Sequence, residues 1–348
     1  MSDITELLVG LGATEDEIEA ATRNGTLLAL AAERFLLPGE RKLTRAEVAA
    51  QSGIDDASLD KLWLALGFAR PSSGEAVFTE RDIETLRVLV SDGTTMSDYT
   101  LHEARVISSA VARVAEVLVD ETWDTELAAG RSDEEALSDL AGTYDVDRFE
   151  RLLLRLLRQH IVAAVYRRLA SGGRSTGAGT SSLAVGFADV VGFTSLSGSL
   201  SAADLTRLVV RFEQTTFDLI AEMGGRVVKT IGDEVMFTFD DAATAADFAL
   251  RVAGAGGNEL PPIRVGLGWG PVVARQGDCF GPTVNLASRL AGVAAAGEVV
   301  VAPAMAEQLA GHERFETTTL GERDLKGFGP VQLWRLQRRG AGYVTSVS

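Results

Sequence analysis

Between residues 183 and 269, short apolar runs alternate with amphipathic stretches in the order strand, helix, hairpin, helix, strand, and few folds accept that order. Leu183 to Asp189 reads as a strand. Ala202 to Met223 reads as a helix, with Leu205, Leu208, Val209, Phe212, Phe217 and Ile220 on its apolar side. Arg226 to Ile231 and Val235 to Phe239 form a hairpin about the turn Gly232-Asp233-Glu234. Ala242 to Ala253 is an alanine-rich helix, and Ile263 to Trp269 is again a strand. A helix through Val284 to Ala291 and strands near 298–301, 314–320 and 331–337 follow. The succession predicts a ferredoxin-like arrangement, an antiparallel sheet backed by helices, in a chain that is α+β overall.

Two aspartates stand at the ends of these runs. Asp189 closes Val185-Gly186-Phe187-Ala188-Asp189 ahead of Val190-Val191-Gly192-Phe193-Thr194, and Asp233 lies in Lys229-Thr230-Ile231-Gly232-Asp233-Glu234. A strand end holds a carboxylate rigidly and leaves it reachable. Two such carboxylates on neighbouring strands can clamp two divalent cations about 3.5–4 Å apart, which suits in-line displacement at phosphorus. Taken singly, each aspartate is an ordinary strand-capping residue. Further residues change that reading. Asn285 and Arg289 lie four apart in Asn285-Leu286-Ala287-Ser288-Arg289, so a helix projects both from one face. Asp278 precedes them, and Lys326 falls in the glycine-loosened turn Leu325-Lys326-Gly327-Phe328-Gly329.

With these motifs in order, residues 182 to 338 resemble the catalytic domain of class III adenylyl cyclases, which turn ATP into cyclic AMP and pyrophosphate. The resemblance implies that Asp189 and Asp233, with the Val190 carbonyl, bind two Mg2+ or Mn2+ ions per site. It implies that Lys229 and Asp278 read adenine, that Asn285 orients the ribose, and that Arg289 stabilises the pentavalent α-phosphate. Lys326 would bind the β- and γ-phosphates, and Phe193 and Thr194 would meet the nucleotide on the phosphate-cradling turn after Asp189. It further implies a head-to-tail homodimer with two composite sites, the metal aspartates from one subunit and the base reader, Asn285 and Arg289 from the other. Adenine presents an acceptor at N1 and a donor at its 6-amino group, which a lysine and an aspartate match. Related guanylyl cyclases carry Glu and Cys or Ser there. The chain departs from the family pattern at Phe280 and Pro282, and Pro271 to Gly277 leads almost directly to Asp278 where many members insert a longer dimerisation arm. A guanylyl or diguanylate cyclase, the latter for its Gly-Asp-Glu run, and a catalytically inactive regulatory module are the alternatives.

A length of 348 residues predicts two domains. We expect a helical regulatory domain over 1–150, a basic linker helix and flexible hinge over 151–182, and the catalytic domain over 183–348. Charge separates them: residues 1–150 hold 31 acidic and 13 basic side chains, whereas 151–348 hold 18 and 20. Arg151, Arg155, Arg158, Arg167, Arg168 and Arg174 give the linker its basic face, and Ser171 to Ser182 reads as the hinge. Residues 1–165 read as all helical. Thr44-Arg45-Ala46-Glu47 is a capping box, and 46–66 resembles a helix-turn-helix within a pattern similar to winged-helix regulators. Nucleic acid is not the expected partner, since residues 44–90 carry eight acids against five bases. The first half resembles the regulatory domains of two-domain actinobacterial cyclases, open to a small effector. Its crowded carboxylates, with His102 and His160 in or beside them, motivate an expected response to pH. A single cysteine, Cys279, excludes an internal disulfide. No apolar run approaches a membrane span, and a soluble, cytoplasmic protein is expected.

Overall fold

A computed structural model of the chain describes residues 3–37, 42–72, 74–89, 97–137, 146–170, 180–257, 260–275 and 277–340. The chain divides into two compact units, Met1–Ile161 and Val162–Ser348.

The first unit is built mainly of helices: α1 (Asp3–Gly10), α2 (Glu15–Asn24), α3 (Leu27–Leu36), α4 (Arg45–Ser52), α5 (Asp56–Ala65), α6 (Glu80–Leu89) and α7 (Asp98–Ala128). The predicted capping box forms at the start of α4. The Thr44 amide donates to Glu47 Oε2 at 2.8 Å, and the Glu47 amide returns to Thr44 Oγ1 at 3.4 Å. Val48, Leu59, Leu62, Phe78, Ile83 and Leu86 form one core. The unit is not all helical. Strand β1 (Leu43–Thr44) pairs antiparallel with β2 (Ala76–Phe78) beside α4, and Phe78 is driven into the core. Strands of two and three residues are too short to show a period of two. Helix α8 (Val146–Ala170) runs across the division between the units and bears Arg151, Arg155 and Arg158 of the expected basic face, with Leu152, Leu153, Leu156 and Leu157 exposed; Arg174 lies outside the described residues.

The expected hinge falls largely on residues 171–179, which lie outside the described residues. Its last positions are corrected: Thr180, Ser181 and Ser182 already belong to strand β3 (Thr180–Val190), paired with Val273, Val272 and Pro271.

From β3 the second unit runs through α9 (Phe193–Ser197), α10 (Ala202–Glu222), the hairpin β4 (Arg226–Ile231) and β5 (Glu234–Phe239), α11 (Ala242–Ala255), and β6 (Ile263–Arg275). Then follow β7 (Asp278–Phe280), α12 (Pro282–Val293), β8 (Val299–Val301), α13 (Pro303–Gln308), β9 (Phe315–Leu325) and β10 (Gly329–Arg338). The sheet order is β4-β5-β3-β6-β8-β10-β9. Its first four strands are antiparallel neighbours in the ferredoxin-like order that the sequence predicts. One face buries Ala188, Val235, Phe237, Val265 and Leu267 against Phe212 and Ile220 of α10 and Phe248 of α11. The other buries Val185, Phe187, Met236 and Val272 against Val284, Ala287 and Ala291 of α12, with Cys279 of β7. Most of the segment read as a short arm, Pro271 to Arg275, is strand instead. β6 continues to Arg275 and folds back onto β7 through Val273–Phe280, Ala274–Cys279 and Arg275–Asp278 pairs.

Candidate active site

The antiparallel register places Asp189 at the end of β3, opposite Glu234 on β5 and Arg264 on β6. Asp233 sits in the turn between β4 and β5, and its carbonyl accepts from the Val190 amide at 3.3 Å. The two aspartates predicted as metal ligands are therefore brought together at one end of the sheet. Asp189 is buried, and Arg264 Nε donates to its Oδ2 at 2.6 Å, with a second guanidinium nitrogen on the same oxygen. Burial pushes the Asp233 carboxyl above its ordinary range, and the Asp189 charge adds to the shift. Glu234 is pushed up to about 7, first by burial and then by the charges of Asp189 and Asp233. Three carboxylates crowd a half-buried space in which Arg264 offsets only part of their charge. Among the described residues no three His, Cys, Asp or Glu side chains form a ready metal cage. The donor set here is two carboxylates and adjoining backbone oxygens.

Lys229 and Asp278 meet across the other part of the unit. Lys229 Nζ lies 2.6 Å from Asp278 Oδ2, although 49 residues separate them in sequence. The second oxygen, Oδ1, accepts from the Cys279 amide at 2.7 Å. Burial pushes the Cys279 thiol up. A cationic donor and an anionic acceptor thus stand side by side, both partly accessible.

Helix α12 presents Asn285 and Arg289 on one exposed face, one turn apart. It lies so close to β6 that the backbone of Ala287 and Ala291 leaves no space for a side chain at Gly266. Lys326 stands exposed in the turn between β9 and β10. Neither the Arg289 nor the Lys326 side chain makes a hydrogen bond or ion pair among the described residues, so both cations are available to an anion. Gly192 adopts φ 76°, a left-handed conformation that turns the chain from β3 into α9. Phe193 packs partly into the core while Thr194 is exposed. No side-chain bond joins Asn285, Arg289 or Lys326 to the carboxylate end.

Arg264 and Glu234 were not singled out by the sequence reading. Glu234 lay within the predicted turn, and Arg264 within the predicted strand Ile263 to Trp269. Their importance comes from lying across from Asp189, a register that one strand alone does not reveal.

Comparison with known proteins follows the same division. Residues 178–338 match the family described as the adenylate and guanylate cyclase catalytic domain, and residues 2–166 match the adenylate cyclase regulatory domain. An adenylate cyclase of Streptomyces coelicolor is 35% identical over 353 residues, covering 90% of this chain and 91% of that protein. A pH-sensitive adenylate cyclase of Mycobacterium tuberculosis is 30% identical over 357 residues, covering 97% and 88%. The solved adenylyl cyclase CyaB of P. aeruginosa is 27% identical, covers 47% of this chain and 98% of its own, and superimposes with a TM-score of 0.41. No helix among the described residues is long and apolar enough to cross a membrane. Matched along nearly its whole length, and carrying both a catalytic and a regulatory domain of this kind, the chain belongs to the class III cyclase family as an adenylate cyclase.

Proposed function

We propose that this enzyme converts ATP into 3′,5′-cyclic AMP and pyrophosphate at sites shared between two copies of the chain, under the control of its N-terminal unit. The observation that carries the substrate assignment is the Lys229–Asp278 contact at 2.6 Å. It sets a cationic donor beside an anionic acceptor, the complement of the acceptor at adenine N1 and the donor at its 6-amino group. Guanine presents a donor and an acceptor in the reverse order, and each mismatch in a dry pocket costs about 1–3 kcal/mol.

Asp189 and Asp233, with the Val190 carbonyl, would hold two divalent cations, Mg2+ or Mn2+. The raised carboxyl of Asp233 and the crowding with Glu234 fit such a site, because a cation relieves the repulsion that burial amplifies. Those cations, when bound, lower the pKa of the attacking hydroxyl and neutralise the triphosphate. Asn285 holds the ribose so that its 3′-hydroxyl faces the α-phosphorus, and intramolecular ring closure then draws its advantage from positioning. Arg289 meets the charge that accumulates on the equatorial oxygens, for which a planar guanidinium is suited. Lys326 holds the leaving pyrophosphate, and the backbone amides at Phe193 and Thr194 line the phosphates at the turn after Gly192. Residues 1–150 form the regulatory part in this reading, with 151–182 as its link to the catalytic domain.

Complementation tests the shared site. Asp189→Ala and Arg289→Ala are each expected to lose cyclase activity, and a mixture of the two to regain it, since one site of the heterodimer keeps every wild-type group. Retention of more than a few per cent activity by Asp189→Ala or Asp233→Ala removes the metal assignment. Absence of recovery despite demonstrated subunit exchange removes the shared site.

A further inference from the structure

We propose that Arg226 is a positioning residue for nucleobase specificity, clamping the turn that carries Asp278 so that its carboxylate stays beside Lys229. The inference rests on the reading of Lys229 and Asp278 as the adenine-recognising pair.

In a regular strand, residues three apart point to opposite faces. Arg226 and Lys229 are three apart on β4, yet they serve the same side. The register explains how: Arg226 pairs with Thr238, Val227 with Phe237, and Lys229 with Met236, so Val228 is an extra residue that the partner strand does not match. This bulge shifts the alternation by one and turns Lys229 onto the face already occupied by Arg226. β7 lies on that face.

Arg226 brackets Asp278 from both sides. Its Nη1 donates to the Gly277 carbonyl at 2.9 Å, and its Nη2 lies 3.0 Å from the Cys279 sulfur. The restraint is needed because β7 holds three residues, follows Gly277 in a left-handed conformation at φ 79°, and runs along the outlying end of β6. Its ladder alone fixes Asp278 weakly. A guanidinium spans two acceptors in one rigid plane, which the single ammonium of a lysine does not. Its two side-chain contacts are both to the neighbours of Asp278, so it acts on the base through Asp278. The Cys279 thiol, small and buried, completes the clamp as the second acceptor.

The test compares full-length wild type with Arg226→Gln, Arg226→Lys and Asp278→Ala. kcat and KM are measured for ATP and for GTP, and thermal melting is followed in parallel. Arg226→Gln is expected to raise KM for ATP about tenfold and to lower the ATP:GTP ratio of kcat/KM by a similar factor, with kcat at saturating ATP changed less than about threefold. Arg226→Lys should keep most of that loss, because charge without the fork does not hold both acceptors. A merely structural residue would lower activity on both nucleotides equally and leave the ratio intact, and that result overturns the proposal. If Asp278→Ala collapses the ratio while Arg226→Gln and Arg226→Lys leave it unchanged, the clamp is refuted and the base-reading pair stands. If Asp278→Ala also leaves the ratio unchanged, the base-reading assignment fails and the clamp with it. Should Arg226→Gln fail to fold, the ratio in Arg226→Lys decides alone.

Discussion

Gly266 offers a way to disturb catalysis without touching any group that meets the nucleotide. A Cβ at this position would stand 2.1 Å from the Ala291 nitrogen, 2.3 Å from the Ala287 oxygen and 2.8 Å from the Ala291 Cα. All three are backbone atoms of α12, so no side-chain rotation relieves the clash. Ordinary contact begins at 3.4 Å, leaving a shortfall of about 1.3 Å that only movement of the helix or of β6 can supply. Overpacking of this kind costs roughly 1–3 kcal/mol of stability. α12 carries Asn285 and Arg289, which we assign to the ribose and the α-phosphate, and a displacement near 1 Å at such a group costs on the order of 100-fold in rate. Gly266→Ala is therefore expected to fold, to melt several degrees lower, and to lose about 100-fold in kcat. Two residues further along β6 the situation reverses. A Cβ at Gly268 meets Thr283 O at 3.3 Å and Thr283 Cγ2 at 3.4 Å, which small shifts accommodate, so Gly268→Ala should keep kcat within a few-fold of wild type. Cyclic AMP formation at saturating ATP, with melting curves for both variants, is the assay. Wild-type kcat in Gly266→Ala, or equal damage from both substitutions, would refute the link between helix seating and catalysis.

At the proposed base-reading pair, Lys229→Glu combined with Asp278→Cys should weaken use of ATP and move preference toward GTP; an unchanged kcat/KM ratio would tell against both residues as base readers. In the regulatory unit, Thr44→Ala removes the α4 cap and should lower that unit's unfolding midpoint by roughly 2–8 °C at pH 7. Hydrogen bonding from the Thr44 amide and hydroxyl holds the Glu47 carboxyl below its ordinary value. Its stabilisation is therefore fully present above the unfolded-state pKa and lost as pH falls through the lower folded-state value. The gap between wild type and Thr44→Ala should narrow in acid, and a gap that widens would contradict the capping argument. Finally, the concentration of acidic charge in residues 1–150 predicts that pH acts through the regulatory half. Full-length protein and residues 183–348 should give different pH–activity profiles, with the shorter protein more active at pH 8, and superimposable profiles from properly dimeric samples would end that idea.

What the sequence disclosed, it disclosed through periodicity and chemistry together. The strand–helix–hairpin–helix–strand order around Asp189 and Asp233 was legible because each element is long enough to show its period. The same reading found the capping box at Thr44, a purely local interaction. It passed over β1 and β2 because two and three residues carry no period. It read Pro271 to Gly277 as a short arm by comparison with the longer dimerisation arm of many family members. In the fold, Pro271 to Val273 still pair with β3, and Val273 to Arg275 pair with β7. The largest omissions, Arg264 and Arg226, share one cause. Arg264 matters because the ladder sets it against Asp189, and Arg226 because a bulge two residues later reverses which way Lys229 faces. Both facts belong to pairs of strands.

Arg264 also ties together parts of the site that the chain order keeps apart. Its Nε holds the Asp189 carboxylate at 2.6 Å, while its Nη1 lies 3.3 Å from the Gly292 carbonyl near the end of α12. One guanidinium thus connects the carboxylate end of the sheet with the helix that bears Arg289. Gly266, two residues along β6, lets that helix approach closely enough for the connection to form. Two neighbouring aspartates could be placed on many antiparallel sheets. What this chain adds is a strand, β6, that neutralises part of the carboxylate charge, seats α12 and extends to carry β7 with Asp278. Asp278, Arg289 and the carboxylate end, to which we assign base reading, transition-state stabilisation and metal binding, are all referred to that one strand, and this is why a methyl group at Gly266 should cost more than one at Gly268.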